Sequence, residues 1–189
     1  YHGNIVYGEF IDTTHWNSAD GEIRQDNVID FTAAKIYLNS LSMQLSAETA
    51  NGTSTFEWGH LKLKGTNSGL NVFSVTCAEI TAANNFTIDA PSGSIALVNV
   101  SGDLLDWSGG YNLIGIEPEN VIFNFFEAND IKVWGIHIKG AILAPYATLD
   151  FPTGLISGQV IAFNITGTGQ FNILDFAGNI NLELTITNY

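Results

Sequence analysis

Basic residues are scarce in this chain of 189: six Lys and Arg stand against 19 Asp and Glu, a formal net charge of −13. A surface so poor in cations cannot neutralise phosphates, which argues against nucleic-acid binding. The same field opposes adhesion to anionic membrane surfaces. Charge of either sign is thin, at 13% of residues against about 25% in an average soluble domain. Cysteine occurs once, at Cys77, so no intrachain disulfide can form. No apolar run approaches the roughly 18 residues of a spanning helix, so membrane insertion is not expected. The opening YHGNIVYGEF has neither the basic nor the apolar region of a secretion signal. An exported form is therefore expected to have had its signal removed.

What the chain does have is apolar residues, 46% of the total. At this length a single domain over 1–189 would bury about 70% of its unfolded surface without covalent staples. Abundant Asn, Thr, Ser and Gly beside scarce Lys tilt the reading towards the outside of the cell.

One stretch reads as helix, DFTAAKIYLNSLSMQLSAETANG. Asp30 can act as N-cap, and Phe31, Ala34, Leu38, Leu41 and Leu45 recur at spacings of three and four, an apolar stripe that predicts a helix over 31–49. Beyond it come short β-like pieces: 60–64, 70–75, 85–88, 94–100, 121–126 and 131–138. Gly, Asn, Asp or Pro separates nearly all of them, and none is followed by a helical pattern.

Near the C-terminal side a phrase is repeated. Ile138-Lys139-Gly140-Ala141-Ile142-Leu143-Ala144 is echoed eighteen residues later by Ile156-Ser157-Gly158-Gln159-Val160-Ile161-Ala162. Such a period suits one coil of a parallel β-solenoid, whose short strands stack on their equivalents one turn away. Ile142 would then lie over Val160 and Ala144 over Ala162, with Gly140 and Gly158 at corners where a positive φ costs glycine little. Ala128 precedes Ala147 by nineteen residues, so three coils can be traced over about 120–169. The competing architecture is an antiparallel sandwich with a fortuitous repeat. The reading adopted is mainly β: a parallel β-solenoid with one long helix, 31–49, packed along its side.

The blocks IDFTAAKIYLNSLSMQL, GTNSGLNVFSV, FTIDAPSGSIALVNVSG and NVIFNFFEANDIKVWGIHIKGAILAPYATLDFPTGLISGQVIA, closed by TGTGQFN, resemble the choice-of-anchor A domain of bacterial surface and secreted proteins, in the family's order over about 28–177. A looser likeness links these domains to ice-binding proteins that set a long helix beside a β-solenoid. The resemblance implies an exported domain, usually tethered to the cell surface, with no established catalytic residues. Family members carry a longer strand-rich portion before the helix, whereas 1–27 here reads as a short strand and loop segment. After Phe176 comes AGNINLELTITNY, in which no anchoring device is expected.

In that last segment, 178–189, Ile180, Leu182, Leu184 and Ile186 alternate with polar residues at a clean period of two. It reads either as the closing strand of the domain's own sheet or as a strand donated to a neighbouring copy. Ile5, Val6 and Tyr7 could belong to the same junction. Stacking end to end would cover an unfinished solenoid and build filaments if the rotation does not close.

Catalysis is not expected. Asp103 with Asp106 and Glu117 with Glu119 are the nearest carboxylate pairs, and turn acids of this kind usually sit in solvent. His2, His15, His60 and His137 fall in no metal spacing, Asp20, Asp26 and Asp30 lack the ligand spacing of a calcium loop, and no cofactor is expected. Cys77 reads as a small core residue. Threonine pairs at 53/55, 166/168 and 185/187 do not recur at the repeat interval, which counts against an ice-binding face. Trp107 and Tyr111 in the Gly-rich WSGGYN are the candidates for stacking a sugar, against simple packing under a loop. The function expected from the residues is an extracellular structural or adhesive subunit, a matrix or filament component that self-associates through β-strands. The alternative is a monomeric glycan- or ice-binding module.

Overall fold

The computed structural model describes residues 5–7, 23–25 and 30–180, and the chain divides into two compact units, 1–38 and 39–189. In the first, β1 (Ile5–Tyr7) pairs in parallel with β2 (Ile23–Gln25), Ile5 opposite Ile23. There too begins helix α1 (Phe31–Ser46). The carboxylate of Asp30 accepts the Ala33 amide at 2.9 Å, the N-cap bond expected of it.

α1 is shorter than the 31–49 read from the stripe. Its stripe is also buried unevenly: Phe31 is 75% exposed, while in the second unit Leu45 is buried, together with Ser42. The helix ends where side chains of the sheet take over its carbonyls, since Asn99 Nδ2 donates to Leu45 O at 2.7 Å. Two tight turns follow, Ala47 N to Gln44 O and Glu48 N to Leu45 O, which satisfy further orphan carbonyls of the last turn.

The second unit is mainly β. Its elements are β3 (Thr53–Glu57), β4 (His60–Lys64), β5 (Leu70–Thr76), α2 (Cys77–Ala82), β6 (Asn85–Asp89), β7 (Ile95–Ser101), β8 (Leu104–Trp107), β9 (Gly110–Ile114), β10 (Val121–Phe125), β11 (Asp130–Lys139), β12 (Ala141–Ser157), β13 (Val160–Gly167) and β14 (Gln170–Asn172). One sheet runs β5-β7-β10-β12-β11-β8, with β13 and β14 also on β12; a second runs β3-β4-β6-β9. Among the described strands only β3–β4 is antiparallel.

The parallel pairs show the interval at which the chain returns to itself. It is 25 residues for Leu70 to Ile95, Ala96 to Val121, His60 to Asn85 and Asn85 to Gly110. It shortens to 19 for Ile122 to Ala141 and to 18 for Asp130 to Thr148 and Ile142 to Val160. The register expected from the repeat is the one found: Ile142 pairs with Val160, Leu143 with Ile161, Ala144 with Ala162.

Alternation along these strands builds one core. Phe73, Val75, Val98, Val100, Phe123 and Phe125 point into it from three neighbouring strands, each full burial contributing about 1.5–3 kcal/mol. On the opposite face of the same strands Val72, Leu97, Asn99 and Asn124 are also buried, as is Leu143 of the adjoining β12, and hydrogen bonds from Asn99 and Asn124 tie that face to residues 42 and 45 of α1. A sheet covered on both faces reads as a continuous apolar run, which is why IALVNV is not cleanly alternating. No helix among the described residues is long and apolar enough to cross a membrane.

Candidate functional site

Among the described residues the last returns of the chain set exposed apolar side chains over buried ones. Ile142, Leu149 and Ile156 belong to the buried cluster, and the next pass sets Val160, Ile165 and Phe171 in register upon them. Among the described residues β13 and β14 pair only with β12, and nothing in the described strands stacks on this pass in turn. Ile165 and Phe171 stay exposed, although Phe171 meets Phe151 edge to face at 5.2 Å. Together with Ile173 and Leu174 these side chains border an apolar hollow of about 330 Å³.

The repeat glycines shape this end in two different ways. Gly140 has φ +136°, a conformation that L side chains rarely adopt. Gly158, expected to share it, does not: a Cβ there would collide with the carbonyl of Gly140. One glycine answers to backbone torsion and the other to close approach of two passes. Ala144 and Ala162 stack in register, with Ala144 fully buried and Ala162 packed on the core's edge.

Beyond β14 the chain is held by polar ties. Gln159 Nε2 donates to Asp175 Oδ1 at 3.3 Å, and Ala177 N donates to Glu119 O at 2.8 Å. Ile180 is the last described residue, so Leu182, Leu184 and Ile186 lie outside the described residues. Of the other proposed junction strand, Ile5, Val6 and Tyr7 are engaged through their backbones with β2.

Trp107 and Tyr111 are not where a sugar could stack. They are 1% and 8% exposed and pack with Phe86 and Phe123 at ring separations of 5.1–6.0 Å. The Tyr111 hydroxyl donates to Lys139 O at 2.8 Å, and burial pushes its pKa well up. Trp107 closes β8 and Tyr111 sits in β9, both at inward positions, so the Gly-rich neighbours mark a turn between two strands and not an open loop.

The carboxylates are engaged singly and do not converge in pairs. Asp103 and Asp106 have separate partners, Asn129 and Trp134. Glu117 accepts from the Ser92 hydroxyl and from Gly93 N, and the Ser92 bond chiefly, then the Gly93 amide, holds its carboxyl below the ordinary value. His60 contacts Thr87 and His137 contacts Ser157; burial, then Lys139, lowers the His137 pKa. His2, His15, Asp20 and Asp26 lie outside the described residues. Among the described residues no group of three His, Cys, Asp or Glu is placed to hold a metal. The threonines of β3 face lysines across the hairpin, Thr53 opposite Lys64 and Thr55 opposite Lys62, and form no regular array.

Three features escaped the sequence reading. Helix α2 opens with a capping box, Thr76 and Glu79 bonding each other's backbone, which the spacing T-x-x-E signals. Asn99 and Asn124 are buried beneath α1, with no local signal. The third is which tryptophan is exposed: Trp134 is, where Trp107 is not, on a strand whose alternation was legible although its outward surroundings were not.

Comparison with known proteins gives one match: the family model described as an ice-binding-like adhesive domain covers residues 1–173. The chain belongs to that family. Of the two likenesses read from the sequence, the match carries the one to ice-binding-like domains and does not extend to choice-of-anchor A. No curated protein matches, and no solved structure does.

Proposed function

From its membership of the ice-binding-like adhesive domain family, we propose that this chain works outside the cell as a structural and adhesive subunit, and that copies join through β-strands at the open end of the core. The parallel returns at 25, 19 and 18 residues are read as successive coils of one β-solenoid, with residues 42–45 of α1 on its flank. A stacked core of this kind needs a cover on its terminal face. The observation that carries the proposal is the row Val160, Ile165 and Phe171, in register on buried residues yet bordering an apolar hollow of about 330 Å³.

The proposed occupant is the alternating segment 180–187 of a second copy, its Ile180, Leu182, Leu184 and Ile186 laid on that row and its backbone extending β13. A contact between two different surfaces of identical chains propagates unless its rotation closes. The likeness of IKGAILAPYATLDF to choice-of-anchor A domains supports placement on or beyond the cell surface. No catalytic role is assigned to Asp103, Asp106 or Glu117, each held by a separate set of partners.

Negative-stain electron microscopy tests this, with the chain compared to a variant lacking residues 180–189. Filaments or oligomers that vanish in a truncated but still folded variant support the proposal. Dispersed monomers of both at high concentration, or filaments of both, overturn it.

A further inference from the structure

The outer face of the sheet formed by β8, β11 and β12 holds a second surface feature that uses none of the residues at the open end. Leu105, Trp107, Ile131, Val133 and Leu149 point into the core, so alternation turns Leu104, Asp106, Asp130, Lys132, Thr148 and Asp150 outward. Parallel register sets these in two rows. Leu104, Asp130 and Thr148 form one; Asp106, Lys132 and Asp150 form the other. The rows border a hollow of about 310 Å³, within the range of small-molecule sites.

Beside it stands Trp134, 43% exposed. Its Nε1–H donates to Asp106 Oδ1 at 2.6 Å, a charge-assisted bond across two strands. That bond fixes the edge of the indole while nearly half the side chain stays open to solvent. The support beneath is rigid, because the residues alternating with these are core residues packed on Trp107 and Phe123, and rigid elements hold a site more accurately than loops do.

We propose that this groove binds a neutral pyranose glycan. A pyranose ring has C–H bonds on its faces and hydroxyls around its edge. The exposed part of the Trp134 indole suits the first, and the second meets acceptors at Asp106, Asp130 and Asp150 with a donor at Lys132. Neighbouring strands lie about 4.8 Å apart, so the row Asp106, Lys132 and Asp150 repeats polar groups on the scale of a single sugar ring. Three carboxylates against one ammonium, in a chain of net charge −13, exclude anionic glycans. Lys132, which lies between Asp106 and Asp150 in its row, offsets part of the negative field and so weakens the pull on a cationic ligand, which chitosan oligosaccharides test.

The test is isothermal titration calorimetry of the full chain with cello-, manno-, laminari- and xylo-oligosaccharides, alongside polygalacturonate and chitosan oligosaccharides. At least one neutral probe is expected to bind, with affinity changing less than about twofold between low and high NaCl, as befits uncharged ligands. Trp134→Ala and Asp150→Asn should each weaken binding at least tenfold, and Trp58→Ala should not. Lys132→Ala gives a further reading that does not touch the Trp134–Asp106 bond, and melting temperatures check that each variant is folded. Binding of charged probes alone, no binding of any neutral probe, or unchanged affinity in folded Trp134→Ala and Lys132→Ala variants overturns the proposal.

Discussion

Gly158 lies against the carbonyl of Gly140 one pass earlier, so close that a Cβ at residue 158 would overlap it. The contact is locked by Gly140 N, which donates to Ser157 O at 2.9 Å. Gly158→Ala should therefore force two passes apart and cost about 1–3 kcal/mol, as overpacking does. Gly69→Ala is the contrast: its Cβ would meet nothing nearer than Asn67 at 3.6 Å, and it should be neutral or slightly stabilising. Urea unfolding of both variants decides, and equal effects would remove the argument from close approach.

Asn124 should matter more than its polarity suggests. It donates to Ser42 O and to Asn99 Oδ1 and accepts from the Ser42 hydroxyl, and all three residues are buried. Asn124→Ala strands those partners, at about 1–3 kcal/mol for each buried group left unsatisfied. A Ser42→Ala/Asn124→Ala double-mutant cycle should return a coupling of roughly 0.5–3 kcal/mol, with faster amide exchange in residues 42–46. Additive effects would contradict the network.

Cys77 should be inert in the folded protein. Its thiol is buried and contacts Gly102 O at 3.4 Å, and burial first, then Asp103, pushes its pKa up to about 11. Alkylation by iodoacetamide at pH 8 should proceed only in denaturant. Because the folded pKa lies above the unfolded one, this group's contribution to stability is complete below the unfolded value of about 8.5. It is lost as pH rises from there through 11. Cys77→Ala should flatten that alkaline decline, and fast native alkylation would refute the assignment.

The hairpin between β3 and β4 carries a correctable strain. Trp58 has φ +54° and Gly59 φ +75°, the two positive values of a two-residue turn that favours Asn-Gly, and the indole is fully exposed. Trp58→Asn should stabilise the protein by about 1 kcal/mol, seen as a raised urea midpoint at constant slope. A loss of stability would mean that the ring holds something the exposure does not show.

The strand pieces at 60–64, 70–75, 85–88 and 121–126 were legible within a residue or two, because apolar alternation and flanking Gly or Asn are local properties. The pairing of Ile142 with Val160 was legible too, since equal spacing between corners sets parallel register. The 25-residue interval of the earlier passes was not. Its extra residues sit in unlike connections, among them α2, that blur any repeat of letters. The open core end could be anticipated only as a row of apolar letters, and the Asp106–Lys132–Asp150 row not at all, because it joins residues from three strands.

Residue chemistry alone determined a β-rich chain with no intrachain disulfide, a helix starting after Asp30, and a net charge of −13. Only the tertiary structure decided which face of each strand meets water. Trp107 and Trp134 read alike in the sequence, yet one is sealed in the core and the other stands beside a groove. Asn124 is buried because Ser42, 82 residues away, comes to lie over it. Alternation assigns a residue to one of two faces; what covers that face is set by segments distant in the chain.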